Sequence, residues 1–163
     1  ALPIYLGRMK ATKEQTGNTL WVHLKGDITE LADFENEIGP LTGATIINIR
    51  EVTRITSMGV KAWIQFFEDQ VDRGAKLKFE ECSLVIVEQM NLTMNFVSRG
   101  EVLSFFAPMI CSKCKNEQTM LISRSTCPPP GATLPEMQCE KCGSKAIFDE
   151  VPEEYFRFMR RKR

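Results

Sequence analysis

Ala44-Thr-Ile-Ile-Asn-Ile-Arg50, followed by Thr53-Arg-Ile-Thr-Ser-Met-Gly59 and a run that carries Val60, Trp63, Ile64, Phe67 and Val71, is the stretch that sets the fold. The first segment is almost continuously β-branched or apolar, which suits a strand inside a sheet. The last has its apolar residues at helical spacing and is closed by Gly74. A strand that turns directly into a long amphipathic helix is the repeating unit of an α/β protein.

The flanking sequence repeats the unit. Residues 19–25 alternate Leu20, Val22 and Leu24 with Trp21, His23 and Lys25, as a strand does. Gly26-Asp27-Ile28-Thr29 reads as a turn with Thr29 as N-cap, and Leu31, Phe34 and Ile38 predict a short helix stopped by Gly39-Pro40. Lys76 to Glu81 alternate around Leu77 and Phe79. Ser83 then opens a helix carrying Val87, Met90, Met94 and Val97, and Val102 to Ala107 form a last apolar stretch. Strands alternating with helices require crossover connections, so residues 1–110 are expected to form a largely parallel sheet with helices packed on it.

Composition changes near residue 110, and the remainder reads as a second unit, residues 111–163. It has few aliphatics and three consecutive prolines (Pro128, Pro129, Pro130), so it needs a staple. Two knuckles provide one: Cys111-Ser-Lys-Cys114 and Cys139-Glu-Lys-Cys142. Each C-x-x-C can aim two thiolates at one ion, and two pairs complete an all-sulfur tetrahedron with no open position for a substrate. The expected cofactor is structural Zn2+ held by Cys111, Cys114, Cys139 and Cys142. A rubredoxin-type iron centre would use the same ligands and would be red. Strands at Glu117–Ser123 and Ala146–Phe148 would give the small β arrangement of a zinc ribbon. Cys82 reads as a buried hydrophobe and Cys127 as a spare loop thiol.

The order of elements in residues 1–110, with Gly26-Asp27-Ile28-Thr29, the strand Ile46 to Ile49 and the turn Ile55-Thr56-Ser57-Met58-Gly59-Val60, resembles a STAS domain, the family of the bacterial anti-sigma factor antagonists and of the cytoplasmic domains of sulfate transporters. In the antagonists a hydroxyl just before the glycine is phosphorylated by a partner kinase. Matched residue by residue, Thr56 stands at the Asp of that motif, Ser57 at its first Ser, and Met58 at the phosphoacceptor. A thioether accepts no phosphoryl group. The resemblance implies a binding surface at Thr56, Ser57, Met58 and Gly59 for a kinase-like or sigma-regulatory protein, without the phosphorylation switch. Met58 supplies an uncharged, adaptable contact instead. From the residues alone, Ser57 or Thr56 is a helix cap.

Charge is zero overall, with 11 Lys+Arg against 14 Asp+Glu in residues 1–110 and 10 against 7 afterwards. Four thiolates and one dication would bring the second part close to neutral, which does not make a strongly cationic nucleic-acid surface. Arg160, Arg161, Lys162 and Arg163, near Tyr155, Phe156 and Phe158, nevertheless define an alternative: a nucleic-acid-binding accessory protein using ribbon and tail. No apolar run is long enough to span a membrane, and Ala1-Leu-Pro-Ile-Tyr5 lacks the pattern of a secretory signal, so a cytoplasmic protein is expected. No nucleophile with a base, no carboxylate pair and no phosphate loop stands out, and His23 has no titratable neighbour in sequence. The reading is a non-catalytic protein-interaction module in bacterial regulation.

Overall fold

Alternation along the strands decides which face of the sheet is covered. In the computed structural model, which describes residues 7–161, five strands run in sheet order β1 (Lys10–Thr16), β2 (Thr19–Ile28), β3 (Ala44–Ile55), β4 (Lys76–Glu80) and β5 (Glu101–Val102). β1 is antiparallel to β2, and the other three neighbouring pairs are parallel. Val22, Ile47 and Phe79 align in one row across the sheet, and all three are buried. One residue along, Trp21, Ile46 and Lys78 point to the other, wetter face. The helices therefore need to cover one face only.

That cover is mainly α2 (Ser57–Asp72), preceded by a single turn, α1 (Phe34–Glu37). Trp63 and Phe67 are fully buried, with Phe34, Phe66, Phe79 and Phe96 packed around them at ring separations of 4.6–6.1 Å. The Trp63 indole donates to the Phe96 carbonyl at 2.8 Å, so its one polar atom is satisfied in the core. α3 (Leu84–Leu92) packs Ile86, Val87 and Met90 into the same core.

The expected turn at Gly26-Asp27 is instead a bulge: β2 keeps its pairing through Ile28, with register shifts on either side of Lys25. The first helix is shorter than its apolar spacing predicts. Asp33, not Thr29, caps it by accepting from Asn36 N at 3.1 Å, and Leu31 is 59 % exposed. α3 likewise ends at Leu92, leaving Met94 81 % exposed, because Phe96 leaves the helical path to roof Trp63. Ser83 precedes α3 but gives its hydroxyl to the Val52 carbonyl at 2.5 Å, which ties the helix to β3.

The second sheet is antiparallel, in the order β7 (Glu117–Ser123), β6 (Ser104–Cys111), β9 (Lys145–Phe148), β8 (Met137–Gln138). Its first strand starts at Ser104, straight out of β5, and runs through residue 110 into Cys111. Along β6 the buried positions alternate as Phe105, Ala107, Met109 and Cys111. Backbone bonds tie its start to the end of β4: Leu103 N to Phe79 O (2.7 Å), Cys82 N to Ser104 O (3.1 Å) and Phe106 N to Cys82 O (2.9 Å). Phe105, Ala107, Ile122 and Phe156 belong to the same continuous apolar cluster as Cys82, Ile86 and Val87.

Two short helices, α4 (Pro152–Tyr155) and α5 (Arg157–Arg160), return the chain to the body. Phe156 is buried among Phe105, Phe148 and Tyr155, and the Tyr155 hydroxyl donates to the Phe106 carbonyl. Asn91 clasps this return, donating to Tyr155 O and accepting from Phe158 N, both at 2.9 Å. Among the described residues no helix is long and apolar enough to cross a membrane. Ala1 to Tyr5, Lys162 and Arg163 lie outside the described residues.

Gly59 locks the sheet to α2. A Cβ there would sit 2.1 Å from the Ile28 carbonyl oxygen, which also accepts from Thr56 N at 3.0 Å. Gly59→Ala is therefore expected to lower unfolding stability by about 2–3 kcal/mol, as overpacking against backbone does. Met58→Ala, one residue away and exposed, should stay within ~0.5 kcal/mol. Urea unfolding of the two variants checks both values.

Candidate metal centre and partner surface

Each cysteine pair occupies a tight backbone knuckle, and the two knuckles repeat each other bond for bond. Lys115 N donates to Cys111 O at 3.1 Å, and Gly143 N to Cys139 O at 2.9 Å. Cys111 N donates to Asn116 O at 2.9 Å, and Cys139 N to Ser144 O at 2.7 Å. The residue after each second cysteine is left-handed, with φ 62° at Lys115 and 74° at Gly143. Only the second knuckle has the glycine such a turn favours.

These turns bring four Sγ atoms within 4.8 Å of one another. Cys111 and Cys142 are 3.5 Å apart at sulfur, and Cys114 and Cys139 are 3.7 Å apart. Tetrahedral coordination at a metal–sulfur distance of ~2.3 Å requires sulfurs about 3.8 Å apart, so the four cysteines can hold one metal ion. Backbone N–H groups already point at the ligands: Lys113 and Cys114 N toward Cys111 Sγ, and Lys141 N toward Cys139 Sγ, each at 3.4 Å. Such donors favour thiolate over thiol.

The thiols are electrostatically unequal. The Ser144 hydroxyl and backbone N–H hold Cys142 down at about 6. Cys139 is also lowered, first by the Cys142 N–H. At Cys114 the Asn116 N–H pulls downward, but desolvation and the other three thiols outweigh it and push the group up to about 11. Without metal, like-charge repulsion prevents all four from ionising together. A dication removes that repulsion and displaces the remaining protons.

Gln118 is the residue that the cysteine spacing does not reveal. Buried on β7, it donates to Gln138 O at 3.0 Å and accepts from Glu140 N at 3.0 Å, and so joins the strand after the first knuckle to the approach of the second. Its signal was period two: Gln118, Met120 and Ile122 share one face of β7. Cys82 is fully buried, and burial raises its thiol pKa; Cys127 is half-buried and also raised by desolvation. Neither belongs to the four-sulfur group.

At the other expected site, Thr56 caps α2, its Oγ1 accepting from Gly59 N at 3.2 Å. Ser57 is exposed, Met58 is 57 % exposed and Gly59 is buried beneath them. In the C-terminal segment, Arg161 donates to Met90 O at 2.9 Å and also to Asn91 O, capping the carbonyl end of α3. Arg160 lies over the Phe156 ring at 5.9 Å. His23, on the wetter face, meets Glu51 of the adjacent strand at 2.6 Å, a partner that only sheet pairing reveals. No protein-family model matches this chain, and no curated protein matches it.

Lys115→Gly should raise the stability of the metal-loaded protein by about 0.5–1 kcal/mol, because it removes the left-handed penalty of a side chain. Gly143→Ala should lower it by a similar amount, and thermal unfolding reads both. All four sulfurs must be deprotonated to bind metal. Affinity therefore falls as pH falls, and a chromophoric chelator should register metal release between about pH 7 and pH 5.

Proposed function

We propose that this chain is a non-catalytic, STAS-like protein-interaction module of bacterial regulation whose second sheet is a zinc ribbon with a structural ion. The observation that carries the reading is the N-terminus of α2. Ser57 and Met58 stand in solvent at the end of a strand-to-helix turn, fixed from below by Gly59 against Ile28 O and from the side by the Thr56 cap. A rigid platform with an exposed thioether suits docking of an apolar partner surface at low entropic cost.

The STAS likeness is supported by the sheet: an antiparallel β1 beside β2, parallel β3 and β4, and helices on one face, with the Gly26-to-Thr29 and Ile55-to-Val60 segments at the strand ends nearest this platform. The family's switch works by placing phosphate charge beside the helix. Met58 offers no hydroxyl at which phosphate charge could be switched on, so binding here is constitutive or controlled through the partner's abundance. The partner class this implies is a kinase-like or sigma-regulatory protein in the cytoplasm.

Zinc is favoured by four soft thiolates in a closed shell, which leave no position for substrate and give the ion a structural role. Exposed Lys113, Lys115 and Lys141 lie beside the cysteines and offset the net negative charge of a tetrathiolate zinc centre, while Lys145 is paired with Glu136 at 2.9 Å. A colourless protein with a single zinc per chain by elemental analysis is expected; a red ferric protein would replace zinc with iron.

Affinity capture from native bacterial lysate, comparing wild type with Met58→Asp, tests the docking surface. The expected result is loss of a regulatory protein partner from the variant at unchanged fold. Equal capture by both proteins would move the interface elsewhere. Recovery of nucleic acid that is released steeply by salt would favour the ribbon-and-tail reading instead.

A further inference from the structure

The C-terminal end of α3, the loop 93–100, β5, Arg124 and α5 line a pocket of about 620 Å3 that is open to solvent on one side. That is within the ~300–1,000 Å3 of small-molecule sites. Its apolar lining includes Met90, Phe96, Val102, Phe158 and Met159, with Met94 at the mouth, 81 % exposed. Three arginines, Arg99, Arg124 and Arg161, and the uncharged polar Thr93, Asn95 and Ser98 also line it, and no Asp or Glu is among the lining residues.

The three cations differ in what neutralises them. Arg99 is paired with Asp72. Arg161 donates only to the carbonyls of Met90 and Asn91, so no carboxylate cancels its charge. The Arg124 guanidinium has no hydrogen-bond or ion-pair partner among the described residues, while its backbone is pinned by Arg124 N to Leu103 O at 2.8 Å. An open, largely apolar pocket with an unpaired guanidinium at its edge is complementary to an anion with an apolar body, because the planar fork of donors matches a carboxylate. Methionines on the wall let it adapt to the shape of that body.

The loop that forms one wall is the strained part of this region. Ser98 holds φ 52°, and its Oγ is buried with no hydrogen-bond partner. A left-handed backbone and an unsatisfied hydroxyl coincide in this one residue of the pocket wall, and such features are enriched at ligand sites.

We propose that this pocket binds a singly charged amphipathic carboxylate, of the class of a medium-chain fatty acid, with its tail along the accessible Met94, Phe158 and Met159 and its carboxylate on Arg124. The site is independent of both the α2 platform and the metal centre.

Decanoate, below its micelle concentration, is the probe, titrated into the metal-loaded full chain whose methionine methyls are 13C-labelled. Of the eight methionines, Met90, Met94 and Met159 line the cavity and the other five report on the rest of the molecule. Saturable one-to-one shifts confined to those three methyls are expected. Arg124→Glu and Arg124→Gln, at an exposed side chain, should each weaken binding by about ten-fold or more with an unchanged spectrum of the free protein. The proposal is overturned by an absence of shifts at the three cavity methyls, by shifts spread over all eight, by decylammonium binding as tightly as decanoate, or by Arg124 variants that bind decanoate like wild type.

Discussion

Convergence of four sulfurs on one point is the constraint on which the C-terminal third depends. Cys111 ends β6, whose inward residues also include Phe105 and Ala107 of the main core, so a single strand connects the metal site to the apolar interior. Among the described residues β7 pairs only with β6, and β9 pairs with β6 and the two-residue β8; small sheets of this kind are marginal without help. An ion held by the four cysteines would fix the sheet at the knuckle end. The aromatic group of Phe105, Phe148, Tyr155 and Phe156 fixes the other.

Much of the body was legible because its signals are local and periodic. The strand 44–50, the cap at Thr56, the stripe through Trp63 and Phe67 and the stop at Gly74 all follow from neighbouring residues. The cysteine spacing likewise revealed its cluster, since two C-x-x-C turns in one small unit read as a single ligand set. What escaped depends on the rest of the fold. β1 is a polar, mostly exposed edge strand without apolar alternation, and only the Gly17-Asn18 hairpin turn marks it. Leu31, Met94 and Val97 continue a helical spacing, yet the chain leaves the helix where Asp33 and Phe96 find better partners. Whether β6 starts a separate unit or extends the first core cannot be read from composition, because Phe105 looks the same in either. Gln118 shows the same limit: a buried polar side chain is recognisable only once its partners are placed.

The functional picture separates three surfaces by their chemistry. The α2 platform presents an exposed thioether one helical turn from Lys61, on the Thr56 cap, and is the protein-docking face in the proposed reading. The knuckles gather four thiols able to hold one metal ion, with Lys113, Lys115 and Lys141 exposed beside them. The cavity beside α3 is apolar with free guanidinium at its rim, suited to an organic anion. Arg161 joins the last of these to the fold itself, since the guanidinium that lines the cavity also caps α3. That engagement leaves less of the basic C-terminal segment free for phosphates than the bare sequence suggests.

Hydrogen exchange of the metal-loaded protein before and after chelation tests the central claim most directly. Removing the ion should abolish protection throughout β6, β7 and β9 and weaken it at Ile86 and Val87 of α3, which share the core with Phe105. Protection at Val22, Ile47 and Trp63 should persist. Full protection of β7 and β9 in the metal-free protein would contradict the account, because the sheet would then need no ion to hold it.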